Sequence, residues 1–342
     1  MKQIKRPEAI RKVSGEAALL KRIEQIAPGA GSRSPTLHLG LGDDAALIRS
    51  ARQGEIILTC DWFLEGSHFL RDKHPPDSVG WKCLARAASD VAAMGGVLRC
   101  FLLSLALPET HTGRWLNQFL GGLRRAAQRL GCPLVGGDTT RRDQILINVA
   151  VVGEVKLGRA LLRSGAKPGD ALFVSGRLGE AELGLYRIRQ SKRRLNSRDL
   201  SLQKHLYPEP RLALGRWLAG KRLASAMMDL SDGLSTDLPR LCAASGVGAR
   251  VVAQKIPAVR IPGRAGRVGE TPLALALDGG DDYELLFTVP RRKLGHLPRS
   301  FQGIPLTAIG EITSKRELLL IDEAGREAPL PNRGWDPFRR RK

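Results

Sequence analysis

The carboxylates of this chain stand in unusual company. Asp43 and Asp44 sit in Gly-Leu-Gly-Asp-Asp-Ala-Ala-Leu, and Asp61 follows the run Glu55–Cys60. Asp90 lies in Ala-Ser-Asp-Val-Ala-Ala-Met-Gly, and Asp138 between Gly136-Gly137 and Thr139-Thr140. Asp229 and Asp232 share Met-Met-Asp-Leu-Ser-Asp-Gly, and Asp281 and Asp282 follow Gly279-Gly280. The formal charge is +21, yet Lys and Arg are largely missing from these segments. A carboxylate among small apolar residues is costly to bury unless something neutralises it. Hard divalent cations take oxygen ligands, and several such segments predict a multi-metal site suited to phosphate chemistry.

Plainer readings compete at each segment. Gly40-Leu41-Gly42-Asp43-Asp44-Ala45 matches the dinucleotide pattern Gly-x-Gly-x-x-Ala. Two adjacent carboxylates would repel a pyrophosphate, whereas a cation between them would reverse the sign. A capping Asp explains one of the pair but not both. Gly136–Thr140 reads as a tight turn or a phosphate cradle. Asp90 falls late in an apolar helix, where an unpartnered Asp is disfavoured. Asp237 reads as a helix-surface residue. There is no Gly-x-x-x-x-Gly-Lys-Ser/Thr loop and no protein-kinase motif set. The histidines show no ligand spacing, which argues against zinc.

The elements that must carry these residues alternate. Gly15–Ile26 reads as an opening helix, Glu55–Thr59 as a strand presenting Asp61 at its end, and Ser78–Met94 as a helix capped by Ser78 and stopped by Gly95-Gly96. Arg99–Leu107 reads as a strand, Arg114–Leu130 as a helix closed by Gly131, and Ile145–Val152 as a strand. Gly153–Arg163 reads as an inter-domain stretch. A strand at Ala171–Val174 and a helix at Glu180–Gln190 follow. Ala224–Met228 is strand-like, Ser235–Ala244 helical, and Leu285–Val289, Leu306–Ile309 and Leu318–Ile321 strand-like. The class is α/β or α+β.

With 342 residues and a 42% hydrophobic fraction, one large domain or two mid-sized ones are expected. No apolar run reaches the roughly 18 residues of a membrane span, and no signal-peptide core follows the basic start. The five scattered cysteines predict reduced thiols and a cytoplasmic location. Basic residues cluster in Met1–Lys12, Arg187–Arg198 and Arg339–Lys342. No aromatic residues interleave with them, so solvated tails are favoured over nucleic-acid binding.

In order, the segments Gly40–Ala46, Asp61 with Gly66-x-His68-Phe69, Ser89–Gly95, Gly136–Arg141, Arg159–Asp170, Asp229-x-Ser231-Asp232-Gly233-Leu234 and Gly279–Leu285 resemble the thiamine-monophosphate kinase family. The resemblance runs from about Gly15 to Phe338. It implies a two-domain aminoimidazole ribonucleotide synthetase-like α/β (α+β) fold, with an N-terminal mixed sheet that dimerises and a C-terminal α/β domain. The implied boundaries are 1–14 (basic extension), 15–155, 156–338 and 339–342 (basic tail). The implied activity is ATP-dependent phosphorylation of thiamine monophosphate to thiamine diphosphate, with several Mg²⁺ ions and K⁺ as a further candidate ion. It further implies that Asp44, Asp61, Asp90, Asp138 and Asp229 hold Mg²⁺ with Thr59 and Cys60, and that Asp232 holds another ion. Gly137, Asp138, Arg163 and Ser231 would contact ATP; His68, Asp281 and Trp335 would contact thiamine phosphate. A homodimer is implied as well.

That chemistry suits such a site. A phosphate acceptor has a second pKa of about 6 and arrives largely deprotonated, so no strong general base is needed. What is needed is alignment of two polyanions and neutralisation of their charge. Cys60, Trp62, Ala87 and Asp281 depart from the family pattern. The rivals are a cyclo-ligase or selenophosphate synthetase of the same superfamily, and a non-enzymatic polyanion-binding protein. The first 42 residues lack the cysteine that a selenophosphate synthetase would want.

Overall fold

Two mixed sheets carry the chain, and one long helix lies between them. The computed structural model describes residues 37–39, 43–49, 54–191, 202–261 and 271–338. The expected helix Gly15–Ile26, the glycines at 40 and 42, most of the basic stretch Arg187–Arg198 and the tail Arg339–Lys342 lie outside the described residues. Ser34–Trp335 forms one compact unit. The other unit is described only at Asp336–Phe338, a turn in which Asp336 Oδ1 accepts the Phe338 N–H at 2.9 Å.

The first sheet contains β1 (Leu37–Leu39), β2 (Ala46–Arg49), β3 (Gly54–Leu64), β4 (Val97–Leu107), β5 (Leu134–Arg141) and β6 (Leu146–Lys156). Their order is β1-β2-β3-β6-β4-β5, with β4 and β5 parallel and every other pair antiparallel. Along β3, Ile57, Thr59, Asp61 and Phe63 turn to the covered face, while Leu58, Cys60 and Trp62 turn to the open one. Helix α1 (Pro76–Ala93) packs on β3, β4 and β6, and α2 (Arg114–Leu130) packs on α1. In α2 the buried residues Phe119, Gly122, Leu123 and Ala126 recur at i, i+3, i+4 and i+7, one apolar stripe. Gly122 and Gly80 mark a backbone-to-backbone crossing. A Cβ at Gly122 would stand 1.8 Å from Asp77 O, and one at Gly80 would stand 2.0 Å from Phe119 O. Gly131 ends α2 in the left-handed conformation, at φ 65°.

The second sheet contains β7 (Ala171–Ser175), β8 (Ala226–Leu230), β9 (Gly248–Val252), β10 (Glu284–Val289), β12 (Ile304–Thr313), β13 (Leu318–Ile321) and β14 (Glu327–Pro329), with β11 (Ser300–Phe301) paired to β12. The order is β14-β13-β9-β12-β7-β10-β8, and β13 runs parallel to β9. Around it lie α3 (Glu180–Gln190), α4 (Gln203–Leu206), α5 (Leu212–Gly220), α6 (Leu234–Ser245) and α7 (Pro272–Asp278). Helix α1 also touches α4, α5 and β8, so it is buried on nearly every side. That is why its sequence reads apolar all round.

Several expectations are corrected. Asp61 lies inside β3 rather than at its end, because pairing with β6 continues through Leu64. Ser78 does not cap α1; the helix starts at Pro76, and the Ser78 hydroxyl donates to Pro75 O at 2.7 Å. Gly136–Thr140 is not a turn but the middle of β5, held by β4. Gly153 is interior to β6, which runs on to Lys156. Asp229 is within β8, which starts at Ala226 and not at Ala224.

Candidate active site

Three buried or half-buried carboxylates converge where the two sheets face α1. Asp44 comes from the turn before β2, Asp90 from the last turn of α1 and Asp229 from β8. One oxygen of each lies within 4.8 Å of the others. Thr59, on the covered face of β3, donates its hydroxyl to Asp90 Oδ2. Burial and repulsion act together here. Burial first, then Asp61, Asp229 and Asp44, push the Asp90 carboxyl well above its ordinary value. Burial, then Asp44, raise Asp229 to about 7. Burial, then Asp44, raise Asp43 to about 6, and its carboxylate accepts the N–H of Asp44 at 2.9 Å and of Arg163 at 3.0 Å.

The chain supplies its own cations for some carboxylates, from positions remote in sequence. Arg163 Nη2 donates to Asp44 Oδ1 at 2.8 Å. Arg86 Nε lies 3.1 Å from Asp61 Oδ2. Arg240 Nη1 donates to Asp232 Oδ2 at 2.5 Å. The scarcity of Lys and Arg beside these aspartates in sequence therefore does not hold in space. Among the described residues, though, no ion pair reaches Asp90 or Asp229, and Asp44 Oδ2 is buried without a hydrogen-bond partner. Three oxygen donors, one of them unpartnered and two with raised pKa, fit a hard divalent cation.

A second constellation lies farther toward the N-terminus of α1. Asp281 stands at φ 67° and Tyr283 at φ 49°, backbone conformations that non-glycine residues rarely adopt. Tyr283 donates its hydroxyl to Asp281 Oδ1 at 2.7 Å, and Lys82 Nζ donates to Asp281 Oδ2 at 2.8 Å. Burial would raise the Asp281 carboxyl; Lys82, His205 and Arg86 outweigh it and hold the group below the usual carboxylate range. His68 Nδ1 accepts the Leu64 N–H at 2.9 Å, so its ring proton is on Nε2. Burial, then Arg86, lower His68 to about 4, and it is a neutral donor near pH 7. Arg86 feels Asp61, Tyr283, Asp281 and Asp232, and so stands between the two constellations.

Ser231 and Asp232 follow β8. Asp237 Oδ2 accepts both their N–H groups, at 3.1 and 3.0 Å. Asp237 is thus fully buried, not on the helix surface, because it shapes this turn. Trp335 N–H donates to Asp232 O at 2.9 Å, placing Trp335 beside the turn.

The remaining predicted residues are set apart. Cys60 faces the open side of the first sheet, opposite Thr59 and Asp61. Gly137 and Asp138 lie on β5, and Asp138 accepts the Thr139 N–H at 2.9 Å. Through Ser104 and Asn148, Asp138 is level with Trp62 of β3. Three strand spacings separate them, about 14 Å. Sequence reasoning missed Lys82, Arg86 and Arg240, took in Tyr283 only as part of Gly279–Leu285, and placed Asp237 on the helix surface. Lys82 left a trace, as a cation amid the apolar face of Val79, Cys83 and Leu84.

Two family patterns match the chain: AIR synthase related protein, N-terminal domain, over residues 42–155, and AIR synthase related protein, C-terminal domain, over residues 167–322. The thiamine-monophosphate kinase of Escherichia coli (strain K12) is 37% identical over 311 residues, covering 88% of this chain and 92% of that protein. That of Bacillus subtilis (strain 168) is 32% identical over 311 residues, covering 89% and 94%. The solved structure of AaThiL complexed with AMPPCP and TMP superposes with a TM-score of 0.80 at 32% identity, over 94% of this chain and 97% of that one. Hydrogenase maturation protein HypE shares the fold, with a TM-score of 0.69 at 21% identity, over 87% of this chain and 94% of that one. With both halves matched and these similarities spanning most of its length, the chain belongs to the thiamine-monophosphate kinase family.

Proposed function

We propose that the γ-phosphoryl group of ATP passes directly and in line to the phosphate of thiamine monophosphate, beside the Asp44–Asp90–Asp229 cluster. As a thiamine-monophosphate kinase, the chain phosphorylates thiamine monophosphate with ATP. The observation that carries the mechanism is the convergence of three carboxylates with an unpartnered buried oxygen. Bound there, magnesium would offset the charge of the two phosphate-bearing substrates. Asp44, Asp90 and Asp229 would hold the ions, with Thr59 and Asp61 adjoining. Arg163, whose Nε is buried without a partner, would donate to the triphosphate. His68 Nε2–H and the ionised Asp281 would orient thiamine monophosphate. Asp232 would take an ion only by giving up Arg240. No residue need act as a strong base, because the acceptor oxygen arrives deprotonated.

Gly137 and Asp138 would join this site from the second subunit of a homodimer. The open face of the first sheet supports that assembly: Leu58, Trp62, Leu102, Leu134 and Val135 are all exposed there or on its edge strand, Trp62 by 54%. Domain limits at 15–155 and 156–338 accord with one sheet in each half. A cytoplasmic setting accords with five unpaired cysteines.

The deciding assay mixes the purified chain with ATP, Mg²⁺ and thiamine monophosphate and follows thiamine diphosphate and ADP. Equimolar products are expected, lost on chelation and in Asp44→Asn. An Asp44→Asn variant with undiminished turnover would falsify the mechanism.

A further inference from the structure

Behind Asp281 lies a buried polar chain that the phosphoryl-transfer chemistry does not use. Lys82 of α1, His205 of α4 and His74, just before α1, are each no more than 2% exposed. Besides its bond to Asp281, Lys82 Nζ is 3.2 Å from His205 Nδ1. His205 Nε2 is 3.1 Å from His74 Nε2. His74 Nδ1 accepts the Leu70 N–H at 3.0 Å and lies 3.2 Å from Leu70 O. A buried ion pair with two buried imidazoles adds little to stability compared with apolar packing, so its presence calls for another account. An ammonium can only donate, so the His205 ring nitrogen nearest Lys82 accepts from it. The other His205 nitrogen meets His74, whose Nδ1 is anchored on the Leu70 backbone. Each group is fixed by the one behind it, and the last fixes a carboxylate on strained backbone.

We propose that His74, His205 and Lys82 form a positioning chain that holds Asp281 ionised and correctly aimed for recognition of thiamine monophosphate. The proposal rests on the reading that Asp281 contacts that substrate. Lys82 and His205 are positioning residues, acting through Asp281, while ATP is handled elsewhere.

The test compares His205→Leu, which removes the acceptor for Lys82, with His205→Asn, whose side-chain oxygen can replace Nδ1; Lys82→Met is a third variant. KM is measured separately for each substrate in the full chain, with melting temperature as a folding control. His205→Leu and Lys82→Met are expected to raise KM for thiamine monophosphate tenfold or more with KM for ATP unchanged, and His205→Asn to recover most of the loss. Equal defects in His205→Leu and His205→Asn, or a parallel rise in KM for ATP, would overturn the proposal. Asp281→Asn with an unaltered KM for thiamine monophosphate would instead remove the reading beneath it. Should Lys82→Met fail to fold, the two His205 variants decide alone.

Discussion

Asp90 is caught between two demands. Its charge is unwelcome among Asp44, Asp61 and Asp229 in the metal-free chain, and needed once a cation is present. Asp90→Asn keeps the acceptor for Thr59 and removes the repulsion. It should raise the melting temperature of the metal-free protein while lowering kcat more than about a hundredfold, a barrier increase of about 2.7 kcal/mol or more. Scanning calorimetry and a turnover assay on one preparation check both halves; a variant that melts lower and still turns over contradicts the account. At this scale the sequence showed the aspartates because their apolar neighbours made them conspicuous. It hid their partners because those partners are far along the chain: Arg163 lies 119 residues beyond Asp44. Asp237 was misjudged because the fold turns its helical face inward, where it binds two backbone N–H groups.

The α1–α2 crossing is where an element, rather than a residue, holds the site. Gly122 lets α2 lie directly on α1, while Gly121 beside it has no atom within 4 Å of an added Cβ. Two neighbouring substitutions should therefore act in opposite directions. Gly122→Ala should destabilise by about 1–3 kcal/mol, as overpacking does. Gly121→Ala should stabilise by up to about 1 kcal/mol through helix propensity. Thermal melts of both variants check this, and melting shifts of the same sign would contradict it. Helix α2 was legible from Arg114 to Leu130 because its apolar stripe is regular and Gly131 ends it. Strand β5 was not, since Gly136-Gly137 carries turn chemistry and only pairing with β4 makes it extended. α5, α7 and β9 were overlooked because short apolar runs do not declare their period.

At the scale of the whole molecule, the proposed magnesium site would make protons and the ion compete for one place. Asp229 titrates near 7 in the folded, metal-free chain against an ordinary value of 3.8, and Asp90 is raised as well. Between those values the folded state binds the extra proton, so this contribution to stability is present at low pH and lost as pH rises through 7. The slope is about 1.4 kcal/mol per pH unit for each such proton. Magnesium replaces the protons, so the gain in melting temperature on adding Mg²⁺ should grow from pH 6 to pH 8, with proton release on binding. A gain independent of pH would refute the competition. The open sheet face makes a separate prediction. Trp62→Glu should convert a dimer to a monomer in analytical ultracentrifugation, and an unshifted sedimentation coefficient would count against that interface. The α/β class was legible in the alternation of elements and a sheet in each half only through the family resemblance; the helix shared between the sheets was not, because burial from both sides erases its amphipathic signature.

Lys82, Arg86 and Asp90 recur every fourth residue along α1, so they lie on one stripe at steps of about 6 Å. Inserting or deleting a single residue between them would swing the downstream member by about 100° and aim it into a sheet or a neighbouring helix. Substitutions on the other faces of that helix leave the stripe in phase. Along this segment, the count of residues matters more than their identities, and the helix serves as a ruler between Asp281 at one end and the Asp44–Asp90–Asp229 cluster at the other.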